Sequence, residues 1–166
     1  MASLSRVRRL PVLLLAVAAL AACGGSSKPS TPASAVGKGA TTLYQGGRWA
    51  VVARGRNAFA VHRLGSTWQT DRSARVAIRI LGPAPGKTAS RRPQVAAELT
   101  AHAPLVESAL WIDGRELLEK GGGLTPNRGT IYGAPDHALK PGLHTGVAYG
   151  RTRTTGTAVA WTFRVV

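Results

Sequence analysis

The chain has 166 residues, a formal net charge of +15 and a single cysteine. This length allows one ordinary domain. One cysteine excludes an intrachain disulfide and a zinc site built on several thiolates, and the one methionine, Met1, excludes a methionine-rich copper site. Hydrophobic residues make up 44% of the chain, close to the average of folded proteins, so we do not expect global disorder.

Residues 1–22 predict an export signal. Three arginines, Arg6, Arg8 and Arg9, precede an uncharged apolar run of 13 residues from Leu10 to Ala22. This run is too short for a membrane helix, which needs about 20 residues. A basic start, a short apolar run and small residues at its end are typical of a secretory signal peptide.

The end of this run, Leu20-Ala21-Ala22-Cys23, resembles the lipobox of bacterial lipoproteins. The resemblance implies that Cys23 becomes the first mature residue and carries a diacylglycerol, with acyl chains such as palmitate. A free thiol is a liability in an oxidising compartment, and two acyl chains anchor a protein stably. An ordinary signal peptide that happens to precede a cysteine is the alternative. We expect a protein that is lipid-anchored to the cell membrane on its extracytoplasmic face.

Residues 24–42 are dominated by Gly, Ser, Pro, Ala and Thr and show no apolar period, which predicts a flexible linker after the lipidated Cys23. The folded β domain is then expected at 43–166. Its charge is uneven: residues 43–92 hold ten basic groups and one acidic group, whereas residues 93–166 hold seven and six.

Arginine dominates the basic half, and its planar group suits bidentate contact with phosphate or carboxylate. A solvated surface that merely reflects coding bias is the plain alternative. The predicted contact residues are Arg48, Arg54, Arg56, Arg63, Arg75 and Arg79.

Short β-type segments separated by Gly and Pro recur along the domain and predict an all-β sandwich or small barrel. The first two, Arg48–Arg54 and Ala58–Leu64, suggest a hairpin on which Trp68 packs. Further strands are expected at 76–80, 95–101, 109–112, 130–132, 143–149 and 158–165. Residues 115–120 are too few for an independent helix, and Gly121–Gly123 predicts a flexible loop.

The second half of the chain resembles bacterial Ig-like domains over about residues 75–166. The matching residues are Asp113, Gly114, Pro135, Leu139, Pro141, Gly142, His144, Trp161 and Phe163. The resemblance implies an antiparallel Ig-like sandwich, with residues 43–70 as an added N-terminal hairpin. Gly146 and Ala148 depart from the pattern, because larger apolar residues are usual at these positions.

Candidate chemistry is sparse. The segment Gly82–Thr88 lacks the spacing of a phosphate-binding loop and contains two prolines, which have no N–H to donate. The four histidines show no metal-ligand spacing, no Gly-x-Ser-x-Gly motif exists, and His144 is interpreted as a structural hydrogen-bonding residue. We therefore predict no enzyme, no cofactor and no metal.

Trp111 is the remaining candidate binding residue. If it is exposed, it could stack on a sugar or a partner. The alternative places it in a second packed layer under residues 43–70.

These patterns together predict a non-catalytic binding or spacer module at the cell envelope. Its partners would be the membrane, through the lipid on Cys23, and anionic envelope polymers or a membrane protein. Alternatives are an accessory subunit of a membrane enzyme or transporter that uses apolar surface around Trp111 and residues 115–128 and, less favoured, a metal carrier or hydrolase. No nucleic acid is expected, because the export signal argues against a genomic role.

Overall fold

The computed structural model of the chain describes residues 31–73, 75–117 and 120–166. The predicted signal peptide, Cys23 and the first part of the linker therefore lie outside the described residues. In chain order the described elements are α1 (Pro32–Val36), β1 (Thr41–Gly46), β2 (Trp49–Arg54), β3 (Asn57–Leu64), β4 (Thr67–Thr70), β5 (Val76–Gly82), β6 (Thr88–Ala89), β7 (Val95–Ala101), β8 (Glu107–Ile112), β9 (Arg115–Glu116), β10 (Lys120–Thr125), β11 (Arg128–Gly133), β12 (Gly142–Arg151) and β13 (Gly156–Val165).

Strands β1 to β4 form an antiparallel sheet, sheet A, in which each strand pairs with the next in sequence. The predicted hairpin of β2 and β3 is confirmed, and it turns at Gly55, whose φ of 58° favours glycine. Trp68 packs against Val52 and Val61, as expected. Because β1 and β4 flank this hairpin, the added segment is a complete four-stranded sheet.

Helix α1 begins at a capping box. Thr31 Oγ1 accepts a hydrogen bond from Ser34 N at 3.2 Å, and Ser34 Oγ accepts one from Thr31 N at 3.0 Å. Pro32 occupies the first turn, where its missing N–H costs nothing. The prediction of a flexible linker up to residue 42 is therefore wrong for residues 31–42, which hold this helix and the start of β1.

The helix covers the outer face of sheet A. Ala35 and Val36 pack against the buried cluster of Val52, Val61 and Trp68. The short helix is stabilised by this burial, since five isolated residues would not stay helical in water.

The other strands form two sheets. Sheet B has the order β10-β11-β7-β5, and sheet C has the order β6-β13-β12-β8-β9. Strand β6 pairs in parallel with β13, and the other pairs in both sheets are antiparallel. An immunoglobulin fold has strands A, B, E and D in one sheet and C, F and G in the other. Strands β5, β7, β11 and β10, against β8, β12 and β13, reproduce both orders. The predicted Ig-like sandwich is confirmed.

Sheet C is the middle layer of the molecule. One face packs on sheet B through a cluster that includes Leu99 and Phe163. The opposite face packs on sheet A through a second cluster that includes Trp49 and Tyr149. The order of layers is therefore α1, sheet A, sheet C and sheet B.

Strand β12 explains the departure from the Ig-like pattern. Residues 146–150 are all buried, because both faces of the strand are covered. A Cβ on Gly146 would lie 2.5 Å from Trp161 Cζ2, and a Cβ on Gly150 would overlap Leu99 Cδ2. Glycine on β12 thus provides the space that large side chains of the neighbouring strands occupy.

The segment after β8 differs from its prediction. Arg115–Glu116 forms β9 and pairs with β8, in agreement with the absence of a helix there. The flexible loop predicted at Gly121–Gly123 is wrong, because Gly121 and Gly122 pair with Ile131 and Thr130 of β11. A glycine run gives no alternation of side chains from which a strand could be inferred.

Candidate functional site

The structure divides four of the predicted contact arginines between the two ends of sheet A. Arg63 N donates a hydrogen bond to Arg48 O at 2.8 Å, so these two residues share one end. At the opposite end, Arg54 is the last residue of β2 and Arg56 lies in the turn between β2 and β3. All four are exposed.

Of the other two arginines, Arg79 lies on β5 of sheet B, on the far side of sheet C, and Arg75 directly precedes that strand. Glu98 accepts hydrogen bonds from Arg79 Nη2 at 2.7 Å and from Arg128 Nε at 2.9 Å. The bonds from Arg128 and Arg79 lower the pKa of Glu98. Arg79 is therefore paired with Glu98. The structure does not bring the six predicted arginines into one surface.

Arg54 has a structural role in sheet A. Its Nη1 donates a hydrogen bond to Val36 O at 2.7 Å, and its guanidinium carbon lies 6.0 Å from the ring centroid of Phe59. The side chain thereby ties the last turn of α1 to β2.

Residues 31–73 nevertheless form one strongly basic layer, which we call the basic layer. It contains six basic residues and one acidic residue, a net charge of +5, and all six basic residues are exposed. They are Lys38, Arg48, Arg54, Arg56, Arg63 and Arg72. The one acid, Asp71, is occupied by backbone groups: its carboxylate accepts hydrogen bonds from Ser73 N and Gly156 N, each at 2.8 Å. Its negative charge is already included in the net charge of +5.

Trp111 is not a contact residue. Its side chain is 1% exposed and lies between sheets A and C, with ring centroids 6.4 Å from Tyr44 and 6.5 Å from Tyr149. The prediction of an exposed binding tryptophan is wrong, and the alternative of a packed layer under residues 43–70 is confirmed. The apolar docking surface expected around Trp111 is also wrong, because sheet A covers it.

A polar cluster at the junction of sheets A and C was not predicted. Glu107 accepts hydrogen bonds from the Tyr44 hydroxyl and from Arg151 Nε, and Arg151 lies 5.9 Å from the ring centroid of Trp49. The bond to Glu107 raises the pKa of Tyr44, and burial raises the pKa of Tyr149 beside it. Glu107 and Arg151 are directly opposed on β8 and β12, which only the register of the sheet reveals.

His144 is a structural hydrogen-bonding residue, as predicted. Its Nδ1 lies 2.6 Å from Asp113 Oδ2 and its Nε2 lies 2.7 Å from Lys140 O, so both nitrogens face acceptors. Burial opposes protonation, but the hydrogen bonds to Asp113 and Lys140 outweigh it and raise the pKa of His144. The imidazole is also stacked on Phe163 at 5.8 Å. Neither nitrogen is free to act as a base or bind a metal.

Asp113 holds this arrangement in place. With φ values of 48° and 80°, Asp113 and Gly114 form the tight turn that their sequence predicted. Asp113 Oδ1 also accepts a hydrogen bond from Thr145 N at 2.9 Å. The carboxylate therefore joins the turn after β8 to the start of β12.

A cleft of about 480 Å³ opens beside His144 and Asp113. Its other charged or titratable lining residues are Arg115, Glu116, Asp136, His137 and Lys140. Two histidines and three carboxylates thus line one cleft, and of these His144 and Asp113 are already bonded to each other. Across residues 31–73, 75–117 and 120–166, no group of three or more His, Cys, Asp or Glu side chains is placed to hold a metal ion.

The two remaining histidines lie elsewhere. His62 packs against Trp49 with the two rings tilted by 43° and their centroids 5.3 Å apart. His102 lines a separate pocket of about 420 Å³ together with Arg75 and threonines of the β12–β13 turn. In the part of the chain that the structure describes, no helix is long and apolar enough to cross a bilayer.

Comparison with known proteins finds similarity in structure and none in sequence. No protein-family model matches the chain, and a search of curated proteins finds no match. Among solved structures, the chain is similar to an immunoglobulin domain in the crystal structure of the complex of titin M10 with obscurin-like 1. That match has 13% sequence identity and a TM-score of 0.34, and it covers 55% of this chain and 95% of the other.

Proposed function

We propose that the protein is a lipid-anchored, non-catalytic binding module on the extracytoplasmic face of the cell membrane, and that its basic layer contacts anionic groups at the membrane surface. The observation that carries this proposal is the net charge of +5 on the layer that directly follows the predicted anchor at Cys23. Lipid headgroups and phosphate-bearing envelope polymers present the same anionic chemistry.

The distance from the anchor supports this contact. Helix α1 begins directly after Thr31 and lies on the outer face of sheet A. The seven residues between Cys23 and Thr31 can span at most roughly 25 Å, since an extended chain advances about 3.3–3.6 Å per residue. Sheet A is therefore the sheet held nearest the anchor. A basic residue at an anionic membrane surface contributes about 1 kcal/mol.

The state of the ionisable side chains supports a non-catalytic role. Glu98 is shared by two arginines, Glu107 is held by Tyr44 and Arg151, and the carboxylate of Asp71 is bonded to backbone amides. Asp113 and His144 are bonded to each other. These groups stabilise the fold and leave no paired acid and base free for catalysis among them.

Vesicle binding tests the contact through the basic layer. The full-length chain should bind vesicles with anionic headgroups more tightly than zwitterionic ones, and the difference should shrink as salt rises. Replacing Arg48, Arg56 and Arg63 by Gln should weaken anionic binding at least tenfold. The matched control replaces Arg92, Arg115 and Arg153, which are exposed outside the basic layer. Equal loss in both variants would show that only total charge matters and would refute the proposed surface.

Fractionation of cells tests the anchor separately. The wild-type chain should remain with the membranes in high salt, whereas Cys23→Ser should move to the soluble fraction and fail to incorporate labelled palmitate. Retention of Cys23→Ser on membranes in high salt would contradict lipid anchoring, whatever the vesicle result.

A further inference from the structure

One edge of β13 has no neighbouring strand in the described chain over most of its length. Strand β6 pairs with β13 only at Arg164 and Val165, and no other described strand pairs with that edge. The opposite edge of β13 is paired with β12 along its whole length. Seven residues at 156–162 therefore lie at a sheet edge without a neighbouring strand.

The hydrogen bonds at the covered end show which backbone groups face this edge. Gly86 N donates to Thr162 O at 2.7 Å, and Arg164 N donates to Lys87 O at 2.9 Å. The backbone N–H and C=O groups of even-numbered residues on β13 therefore face the open edge, away from β12. The pairing of β13 with β12 has no bulge, so this alternation holds along the whole strand. Ala158 and Ala160 present N–H and C=O groups outward, with no backbone partner in the described chain.

The two outer sheets overhang this edge and make it a groove of about 440 Å³. One wall is β3 at 58–60, the other is β5 at 76–78, and Thr157 and Ala158 lie at the floor. At one end Asp71 closes the groove, because its carboxylate already accepts the hydrogen bond from Gly156 N. The open stretch is thus bounded by Asp71 at one end and by β6 at the other.

We propose that this groove binds an extended peptide segment of another protein, which adds a strand to sheet C beside Ala158 and Ala160. A strand is the occupant whose own N–H and C=O groups match the spacing of these free backbone groups. Because β3 and β5 flank the edge at Thr157 and Ala158, an added strand would lie between sheets A and B there.

The walls define the peptide that fits. The sheet A wall is Ala58, Phe59 and Ala60, and the sheet B wall is Val76, Ala77 and Ile78. Ala60 and Val76 are almost fully buried, so Ala58 and Ile78 supply most of the apolar surface nearest the edge. Alternate side chains of the peptide would face these walls, so small and β-branched apolar residues fit them. Arg72 lies exposed at the closed end and makes no ion pair within the described residues. It favours an acidic residue at that end of the peptide. The proposal does not depend on membrane contact through the basic layer.

The first test uses amide exchange on the full-length chain. The odd-numbered amides Val159 and Trp161 face β12 and should exchange slowly, whereas those of Ala158 and Ala160 should exchange fast. Slow exchange at Ala158 and Ala160 in the monomer would show that the chain itself already covers the edge, and would overturn the proposal.

The second test adds a capped six-residue peptide of alternating valine and threonine with a glutamate at one end. It should bind and slow exchange at Ala158 and Ala160. Two further peptides carry N-methyl groups on alternate residues, in the two possible phases. One phase should bind like the parent and the other at least tenfold more weakly, because a strand donates to its neighbour only through alternate amides. Equal binding of the two phases, or no binding of the parent at millimolar concentration, would overturn the proposal.

Variants at Ala158 provide the matched control. Ala158→Pro removes the outward N–H and should reduce peptide binding at least tenfold, since proline is tolerated on a sheet edge. Ala158→Val has similar bulk, keeps the N–H and should bind normally. If both variants bind equally, the backbone does not recognise the peptide. If light scattering shows a dimer that Ala158→Pro alone dissolves, the occupant is a second copy of the chain and the proposal is refuted.

Discussion

Replacing Gly146 by alanine tests the packing of the middle sheet most directly. The added Cβ would lie 2.5, 2.6 and 2.8 Å from three atoms of the Trp161 indole, whereas carbon atoms pack best at about 3.5–4.0 Å. Trp161 is 5% exposed and cannot move into solvent. Overpacking of this kind costs about 1–3 kcal/mol, and the lower chain entropy of alanine in the unfolded state returns about 0.5–1 kcal/mol.

The expected net loss is about 1.5 kcal/mol in the free energy of unfolding. At roughly 4 °C per kcal/mol for a domain of this size, Tm should fall by about 6 °C. Urea unfolding and calorimetry would measure both quantities. Gly82→Ala is the matched control, because its Cβ would lie 3.5 Å from Gln94 O, an ordinary contact.

A double-mutant cycle identifies the cause. Trp161→Leu alone should cost about 3 kcal/mol through the cavity that it leaves. In Gly146→Ala combined with Trp161→Leu the clash disappears, so the pair should lose at least 1 kcal/mol less than the sum of the single changes. Additive losses would mean that the indole does not occupy the space above Gly146, and the explanation of the glycine would fail.

Three further predictions concern the described contacts. Because the folded state raises the pKa of His144, its protonation stabilises the fold fully below about pH 6.5, the unfolded value, and this stability is lost as pH rises through the folded pKa. Asp113→Asn removes the carboxylate that raises the pKa of His144 but keeps a residue that tolerates positive φ. Urea unfolding from pH 5 to 9 should therefore show a smaller decline in stability for the variant than for the wild type. An unchanged pH profile would contradict the pairing of His144 with Asp113. Trp111→Ala should cost about 3–5 kcal/mol in the same assay, and a loss below 1 kcal/mol would be incompatible with its burial. Arg54→Gln should speed amide exchange in α1 while the sandwich stays protected, since it removes a link worth about 0.5–1.5 kcal/mol; equal protection would show that the helix does not need it.

Strands could be predicted from the sequence where one face of a sheet is buried and the other is exposed, because apolar and polar residues then alternate. Val76, Ile78 and Ile80 alternate with exposed positions, and β5 lies where this alternation placed it. The turn at Asp113 and Gly114 could also be predicted, because both residues tolerate positive φ. Local patterns were sufficient for these elements.

The third layer could not be predicted in this way. A strand covered on both faces loses its alternation, so the fully buried run 109–112 of β8 did not show that Trp111 faces a further sheet. Helix α1 had local signals, since Thr31, Pro32 and Ser34 stand at capping positions, but the small polar residues around it favoured a linker. Whether an arginine is free or paired, as Arg79 is with Glu98, depends on register and not on composition.

The position of the helix also has a mechanical consequence. A pull on a lipid anchor at Cys23 would enter the domain at Thr31 and then reach β1 from the end where Thr41 pairs with Ala53. Strand β1 lies at the edge of an antiparallel sheet, so this load would open its hydrogen bonds one after another instead of shearing them together. Sheet A would therefore yield first, as a compliant element, while the longer β12 and β13 keep the sandwich intact.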